Sequence, residues 1–445
     1  MLTCSSPNAA LSRHATPRVV PVVVQQHAEE SAMLRHVRSV LVRAPHVGLL
    51  HLGRLDERIA AHLDGLAVAG EYGSKLCLAA LERPGCGEVF ALAVRALESR
   101  DEALIEHVLA LVPALPDAAR GVASALGWVS AADLKGIVRT LLASAEPARR
   151  ALGFAACRMH QVDPGRVLQD GLAAEQPLVR AAALRAAGEL GRVDLLEQAR
   201  QAIDHEHPEV VFQAAVAACL LGDRQASLGV LADAALQPTP QGDRALALVM
   251  TASPGDVPSA IARGFSKRAQ DQPDDKGHRR RLIRALGLLG DPRFVPWLIE
   301  RMAEPEIARL SGEAFCWITG ADLARMDLET LQAPPLPEHP SEDPNDDDVS
   351  LDEDDSLPWP DAAKVQAWWA KQTLMHAATA AGQRLFEGEA PSAAAAQRVL
   401  REGTQRSRAR AALLACVLQP GLKLFQIAAR TRRQQRALGL PMRVM

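Results

Sequence analysis

Pro177-Leu-Val-Arg-Ala-Ala-Ala-Leu-Arg-Ala-Ala-Gly188 recurs in altered form one step earlier, as Pro147-Ala-Arg-Arg-Ala-Leu-Gly-Phe-Ala-Ala-Cys157, and one step later, as Pro208-Glu-Val-Val-Phe-Gln-Ala-Ala-Val-Ala-Ala-Cys219. The three prolines are 30 and 31 residues apart, and Pro84, Pro116 and Pro240 continue the comb at steps of 32, 31 and 32. A fixed period in this range marks a solenoid, in which each unit buries its apolar face only against its neighbours. Proline suits the first position of a helix, because the N–H it lacks would be unpaired there anyway. Each unit therefore reads as a helix, a short turn and a second helix opened by proline. Cys157, Gly188 and Cys219 occupy one repeat position, which predicts a small buried residue at a close helix contact.

Composition agrees with helix-on-helix packing. Hydrophobic residues make up 48% of the 445 residues but aromatics only 3%, with Tyr72 the single tyrosine. Alanine and leucine fill the gap, where a sheet would draw on valine, isoleucine and aromatics. The predicted fold class is all-α, an α-solenoid of short helix pairs with helical additions at both ends. Seven scattered cysteines without a C-x-x-C pair point to neither a zinc site nor a disulfide framework, and so to a reduced, cytoplasmic protein. No 18-residue apolar run predicts a membrane span, and no secretory signal is legible.

Along the chain, residues 1–24 read as a disordered start and 25–70 as a two-helix cap. Its first helix runs from Gln25 to Arg43 and stops before Pro45. The array occupies 71–326, and His278 to Met302 is its clearest later unit, with Gly290 ending one helix and Asp291-Pro292 starting the next. Residues 271–277 read as an inserted loop. Residues 327–361 form an acidic, Pro-rich linker with 13 acids and no Lys or Arg, and 362–445 form a basic helical module with 14 bases and 3 acids. The net charge of −3 conceals these opposed blocks and leaves the array nearly neutral. That near-neutrality argues against a phosphate-binding groove.

The motifs P-x-V-R-x-A-A and L-G-x-L-G-D-P-x-x-V-P-x-L, carried here by Val179, Arg180, Ala181 and Ala182 and by Gly290, Asp291, Pro292, Val295, Pro296 and Leu298, resemble the short HEAT-like repeats also found in phycobilin lyases. A narrower resemblance rests on His27-Ala-Glu-Glu30, Arg43-Ala-Pro-His46, residues 55–66, Trp368-Trp369, Gly382-Gln-Arg384 and Val399-Leu-Arg-Glu-Gly403. These look like an uncharacterised family of bacterial HEAT-like proteins often encoded beside type VI secretion spike and effector genes. The resemblance implies no active site and no cofactor. It implies a protein partner, namely a secretion effector, a spike component or a toxin.

Binding, and not catalysis, is therefore the expected mechanism. The leading expectation is an adaptor or chaperone for secretion cargo. An immunity-type protein that occludes a toxin is the second, and a HEAT-like nucleic-acid-binding protein or DNA glycosylase is the alternative of another class. Trp368 and Trp369, with Arg430, Arg432 and Arg433, are the candidate partner-binding residues, since tryptophan and arginine are enriched among interface anchors; the two tryptophans also read as docking the C-terminal helices onto the last repeat. His27, Glu30, His46, His51 and His62 form a polar cluster with weaker claims, because metal ligands must converge from different elements and no H-E-x-x-H spacing is present. Arg149, Arg150, Arg180, Arg280 and Arg281 read as bridges between neighbouring repeats. The acidic run 346–355 reads as a solvated tether able to fold back on the basic module, and not as a calcium loop, since Leu351 stands where an EF-hand needs glycine.

Overall fold

Five of the six comb prolines are helix starts; Pro84 instead precedes the Cys86–Ser99 helix by two residues. In the computed structural model, which describes residues 19–253, 257–272, 275–332 and 353–441, prolines open the helices Pro116–Trp128, Pro147–His160, Pro177–Glu189, Pro208–Leu220, Pro240–Ala252 and Pro305–Thr319. Between them lie the shorter partners Ile137–Ala143, Arg166–Leu172, Leu196–Gln201, Ala226–Ala235 and Val295–Arg301, and the 15-residue helix Val257–Asp271. The chain is an all-α solenoid of helix pairs. The described residues contain 23 α-helices and only isolated β-bridges such as Gly48 with Thr404. Residues 1–18 and 333–352, which hold most of the expected disordered start and the acidic run, lie outside the described residues, as do two residues of the expected loop at 271–277.

The chain divides into two compact units. One comprises the chain up to His36 with Glu57–Ala125, and the other comprises Val37–Asp56 with everything from Leu126 on.

In the first unit, small residues set the helix spacing. A Cβ on Gly87 would press on the backbone of Ala32, and one on Gly121 would meet Cys86 O and the Val89 side chain at 2.8 Å. Ile59, Leu63, Leu66, Val89, Phe90 and Leu92 are sealed from solvent. The first described helix is Pro21–Leu41, so it begins four residues before the expected Gln25. Pro21 takes the first turn, where its fixed backbone angle fits, and the two valines next to it are exposed.

In the second unit, the repeat position shared by Cys157, Gly188 and Cys219 is buried as the sequence predicts. A Cβ on Gly188 would sit 2.7 Å from Ala217 Cα, so the neighbouring helices touch backbone to backbone there. Gly290 terminates the Lys276–Leu289 helix in the left-handed conformation (φ 73°), and Asp291 caps the next turn by accepting from Arg293 N. The C-terminal module contributes Ala362–Trp369, capped by Asp361, and the antiparallel pair Ala393–Glu402 and Gln405–Leu418.

That module returns along the repeats. An α-helix leaves its last carbonyls without intrahelical partners, and in this unit the C-terminal segment supplies donors to helix after helix. Leu385 N donates to Gly290 O (2.6 Å), and Glu387 N and Gly388 N donate to Trp317 O and Ile318 O (both 3.0 Å). Arg384 reaches Met250 O and Ser253 O, while Arg410 reaches Gly287 O and Trp317 O. Further on, Leu424 N donates to Glu189 O (2.9 Å), Lys423 Nζ to Gln161 O (2.7 Å) and Arg433 to Gly127 O and Val129 O. The first part of the segment, 384–410, docks on repeats between Met250 and Ile318, and the later part, 423–433, docks on the earlier repeats between Gly127 and Glu189. Positive side chains at helix C-termini also complement the helix dipole. Gly290 and Gly191 show how close the approach is: a Cβ on either would strike the segment's backbone, at Leu385 O and Gly421 O respectively.

Candidate partner-binding site

The polar residues of the repeat helices converge on Glu189. Its carboxylate is almost fully buried (2% exposed) at the end of the Pro177–Glu189 helix. It accepts from Arg185 Nε (2.8 Å) and Arg244 (3.1 Å) on Oε1, and from Arg158 (3.1 Å) and Gln426 Nε2 (3.1 Å) on Oε2. Arg158 and Glu189 stand 31 residues apart, so opposite charges occupy the same position of successive repeats. Arg244 also reaches Gln213, 31 residues earlier, and Gln213 donates to Glu209. Burial alone would raise the Glu189 carboxyl, but the three guanidiniums outweigh it and hold the group well below the usual carboxylate range. Burial in turn pushes Arg244 down to about 10, so it stays charged at neutral pH.

A second basic group lies on the Lys276–Leu289 and Pro305–Thr319 helices. Arg280 holds Asp354 in a two-pronged pair (2.7 and 2.8 Å), and Arg284 bonds Glu353 (2.5 Å). Arg309 lies 4.0 Å from Asp355 and stacks over Trp359. Arg406 of the C-terminal module donates to Glu353 O and pairs with Glu313 at 2.8 Å. The described end of the acidic linker is thus docked on arginines of both the array and the basic module.

Most of the residues that stand out in the sequence turn inward. Trp369 is buried with its ring against His376, and half-buried Trp368 meets Phe315 edge-on. Both belong to the apolar cluster that joins the C-terminal module to the Val295–Arg301 and Pro305–Thr319 helices. Arg430 stacks 4.3 Å over Trp128, Arg433 donates to the helix-end carbonyls of Gly127 and Val129, and Arg432 is exposed. Among the expected repeat bridges, Arg281 joins Asp243 (2.6 Å) to Ala235 O, and Arg180 donates to Leu172 O.

The histidine-rich cluster separates into pieces. His27 and His62, in the first unit, approach Nδ1 to Nδ1 at 3.1 Å. Glu30 enters only as an electrostatic neighbour of His62. His46 is exposed, and His51 accepts from Gly48 N near the start of its own helix. Asp56 is buried in the second unit, where it binds Arg38 and accepts from Thr431 N and Oγ1. Among the described residues, no three His, Cys, Asp or Glu side chains are grouped to hold a metal ion. The Glu189 network was missed in the sequence, although aligning the chain on its comb would have set Arg158 over Glu189.

The histidine pair predicts a pH effect. Burial lowers the pKa of His62, with His27 and Arg58 adding to the effect and Glu30 opposing it. The unfolded group, near 6.5, binds a proton more readily, so this contribution to stability is complete above about pH 6.5 and is lost as pH falls below it. Thermal melts at pH 5.5 and 7.5 should show a smaller acid-induced drop for His62→Gln than for the wild type. Equal drops would show that the pair carries no such linkage.

Residues 166–251 match the HEAT repeats family model, and these are the repeats that carry Glu189, Arg185 and Arg244. No curated protein matches the chain. Among solved structures, a crystal structure of an engineered protein from the Northeast Structural Genomics Consortium is 14% identical. The match covers 68% of this chain and 90% of that one with a TM-score of 0.30. No described helix is long and apolar enough to cross a membrane.

Proposed function

We propose that this chain is a non-enzymatic protein-binding scaffold, acting as an adaptor or chaperone for an effector or spike component of a bacterial type VI secretion system. The observation that carries the binding role is the HEAT-like array with an arginine-rich set of repeat helices, from Arg158 through Arg185 and Arg244 to Arg280 and Arg284. Arrays of this kind present a long, preformed surface to a protein partner. The secretion setting rests on the resemblance of the cap, Trp368-Trp369 and residues 399–403 to the bacterial HEAT-like family.

The test is a pull-down of purified, tagged full-length chain against the separately expressed products of its neighbouring genes. Joint capture of a spike component and its cargo is the expected result. Capture of a toxin alone, with protection of cells from that toxin, would replace the adaptor reading with an immunity role. Capture of none of them would overturn the proposal.

A further inference from the structure

The Glu189 network has more positive charge and more hydrogen-bond donors than its single carboxylate can use. A carboxylate offers about four acceptor positions, and Glu189 fills them with Arg158, Arg185, Arg244 and Gln426. The arginines are far from filled. Each guanidinium has five N–H donors, yet Arg158 makes one hydrogen bond with described residues, Arg185 one through Nε, and Arg244 two. Their unused donors are not sealed in the core: the buried unpartnered side-chain nitrogens of the described residues belong to Arg95, His278, Arg281 and Arg301. Arg185 presents the most surface, with 39% of its side chain exposed. The further acid in the network is Glu209, which accepts from Gln213 on one oxygen and Gln241 on the other.

We propose that Arg158, Arg185 and Arg244 form an oxyanion-binding site that takes a side-chain carboxylate from an acidic segment of a protein partner. Guanidinium forks match carboxylates in two-pronged geometry, and a half-buried setting strengthens such a bond relative to open water. The chain displays the same recognition elsewhere on its repeats, where Arg280 grips the Asp354 carboxylate with both terminal nitrogens inside an acidic Glu353-Asp354-Asp355 segment. An acidic peptide is therefore a ligand class that this unit's arginines already accommodate, and at Arg158, Arg185 and Arg244 no acidic segment of the described chain occupies the open donors. The site deepens the scaffold reading and rests on it, since it names the chemistry that a partner must bring.

The test uses full-length protein with fluorescently labelled hexaglutamate peptide at low salt, and inorganic phosphate as a separate ligand. Arg185→Gln should weaken peptide binding at least tenfold, with Arg185→Lys falling between it and the wild type because charge remains and the fork is lost. Arg166→Gln, which removes an exposed arginine outside the network, should change binding less than twofold. Circular dichroism melts confirm folding, and Arg158→Gln serves as the second variant should Arg185→Gln melt early. Equal losses in the Arg166 and Arg185 variants would reduce the effect to net charge and overturn the site. Binding of phosphate but not of peptide would overturn the carboxylate assignment. If Arg185→Gln captures the neighbouring-gene partner as well as the wild type does, the site fails and the scaffold reading stands. If peptide binding depends on Arg185 while no neighbouring product is captured, the site stands and the scaffold reading fails.

Discussion

Glu189→Ala is expected to destabilise the second unit by about 3–5 kcal/mol, the range for removing one partner of a buried ion pair. The loss comes less from the missing bonds than from what is left behind. Arg158 and Arg244, already disfavoured by burial, would lose the one carboxylate that compensates them among the described residues, and Gln426 would keep only Leu424 O as an acceptor. Urea unfolding monitored by circular dichroism measures the change. A loss below about 1 kcal/mol, the level of an exposed pair, would show that solvent reaches all three guanidiniums freely. The same residue predicts acid sensitivity. Its folded pKa is depressed relative to about 4.3 for unfolded glutamate, so its contribution is complete above that value and declines as pH falls below it. The Glu189→Ala variant should lack this component of the acid response.

Arg408→Ala should cost a comparable loss of about 3–5 kcal/mol, by a different route. Arg408 is completely buried (0% exposed) and has no carboxylate partner among the described residues. Burial pushes its pKa down to about 10, which still leaves it charged at neutral pH. It is held by neutral acceptors: Nε donates to Leu400 O (2.8 Å), one terminal nitrogen to Gln405 and the other to Gln434 Oε1 (2.5 Å). Gln434 passes the order on to Ile427 O and Ala429 O, and Gln405 to Val42 O. Alanine would open a cavity of side-chain size and leave three buried acceptors unsatisfied. Lysine would fare nearly as badly, since one ammonium cannot reproduce a planar fork aimed at three partners. Limited tryptic digestion gives a local readout: cleavage among Arg430, Arg432, Arg433 and Arg436 should become much faster in the variant, and unchanged protection would count against the network as the anchor of this segment.

The array was legible because its signals are local. Proline at a helix start, alanine along a face and a small residue at Cys157, Gly188 and Cys219 each act within one or two turns of chain, and their period reveals the stacking. Asp361 and Ser392 act over the same short range, as side-chain caps three residues or fewer from the groups they satisfy. The return of the C-terminal segment was not legible. Its acceptors are backbone carbonyls, which every residue has, so nothing in the composition of Gly127, Gln161 or Gly290 marks them as docking points. The basic module consequently read as a candidate partner-binding surface, whereas Arg384, Arg410 and Arg433 direct their charge at helix ends. Trp368 and Trp369 read both as residues that dock the C-terminal helices onto the last repeat and as anchors for a partner, and both rings pack within the chain. Of the candidate site, Arg185 and Arg244 stood in plain view, but their convergence on Glu189 needed the register between repeats.

The returning segment also changes how the second unit should come apart. A repeat array held only by nearest-neighbour contacts can fray from either end and nucleate anywhere. Here Arg433 is tied to Gly127 across 306 residues of chain and Gln161 to Leu424 across 263, so the early repeats of this unit are incomplete until the C-terminal segment reaches them. Loop closure of that length slows folding. It also couples repeats that do not touch, so the unit should melt in a single transition where a plain solenoid of its length would unravel in stages.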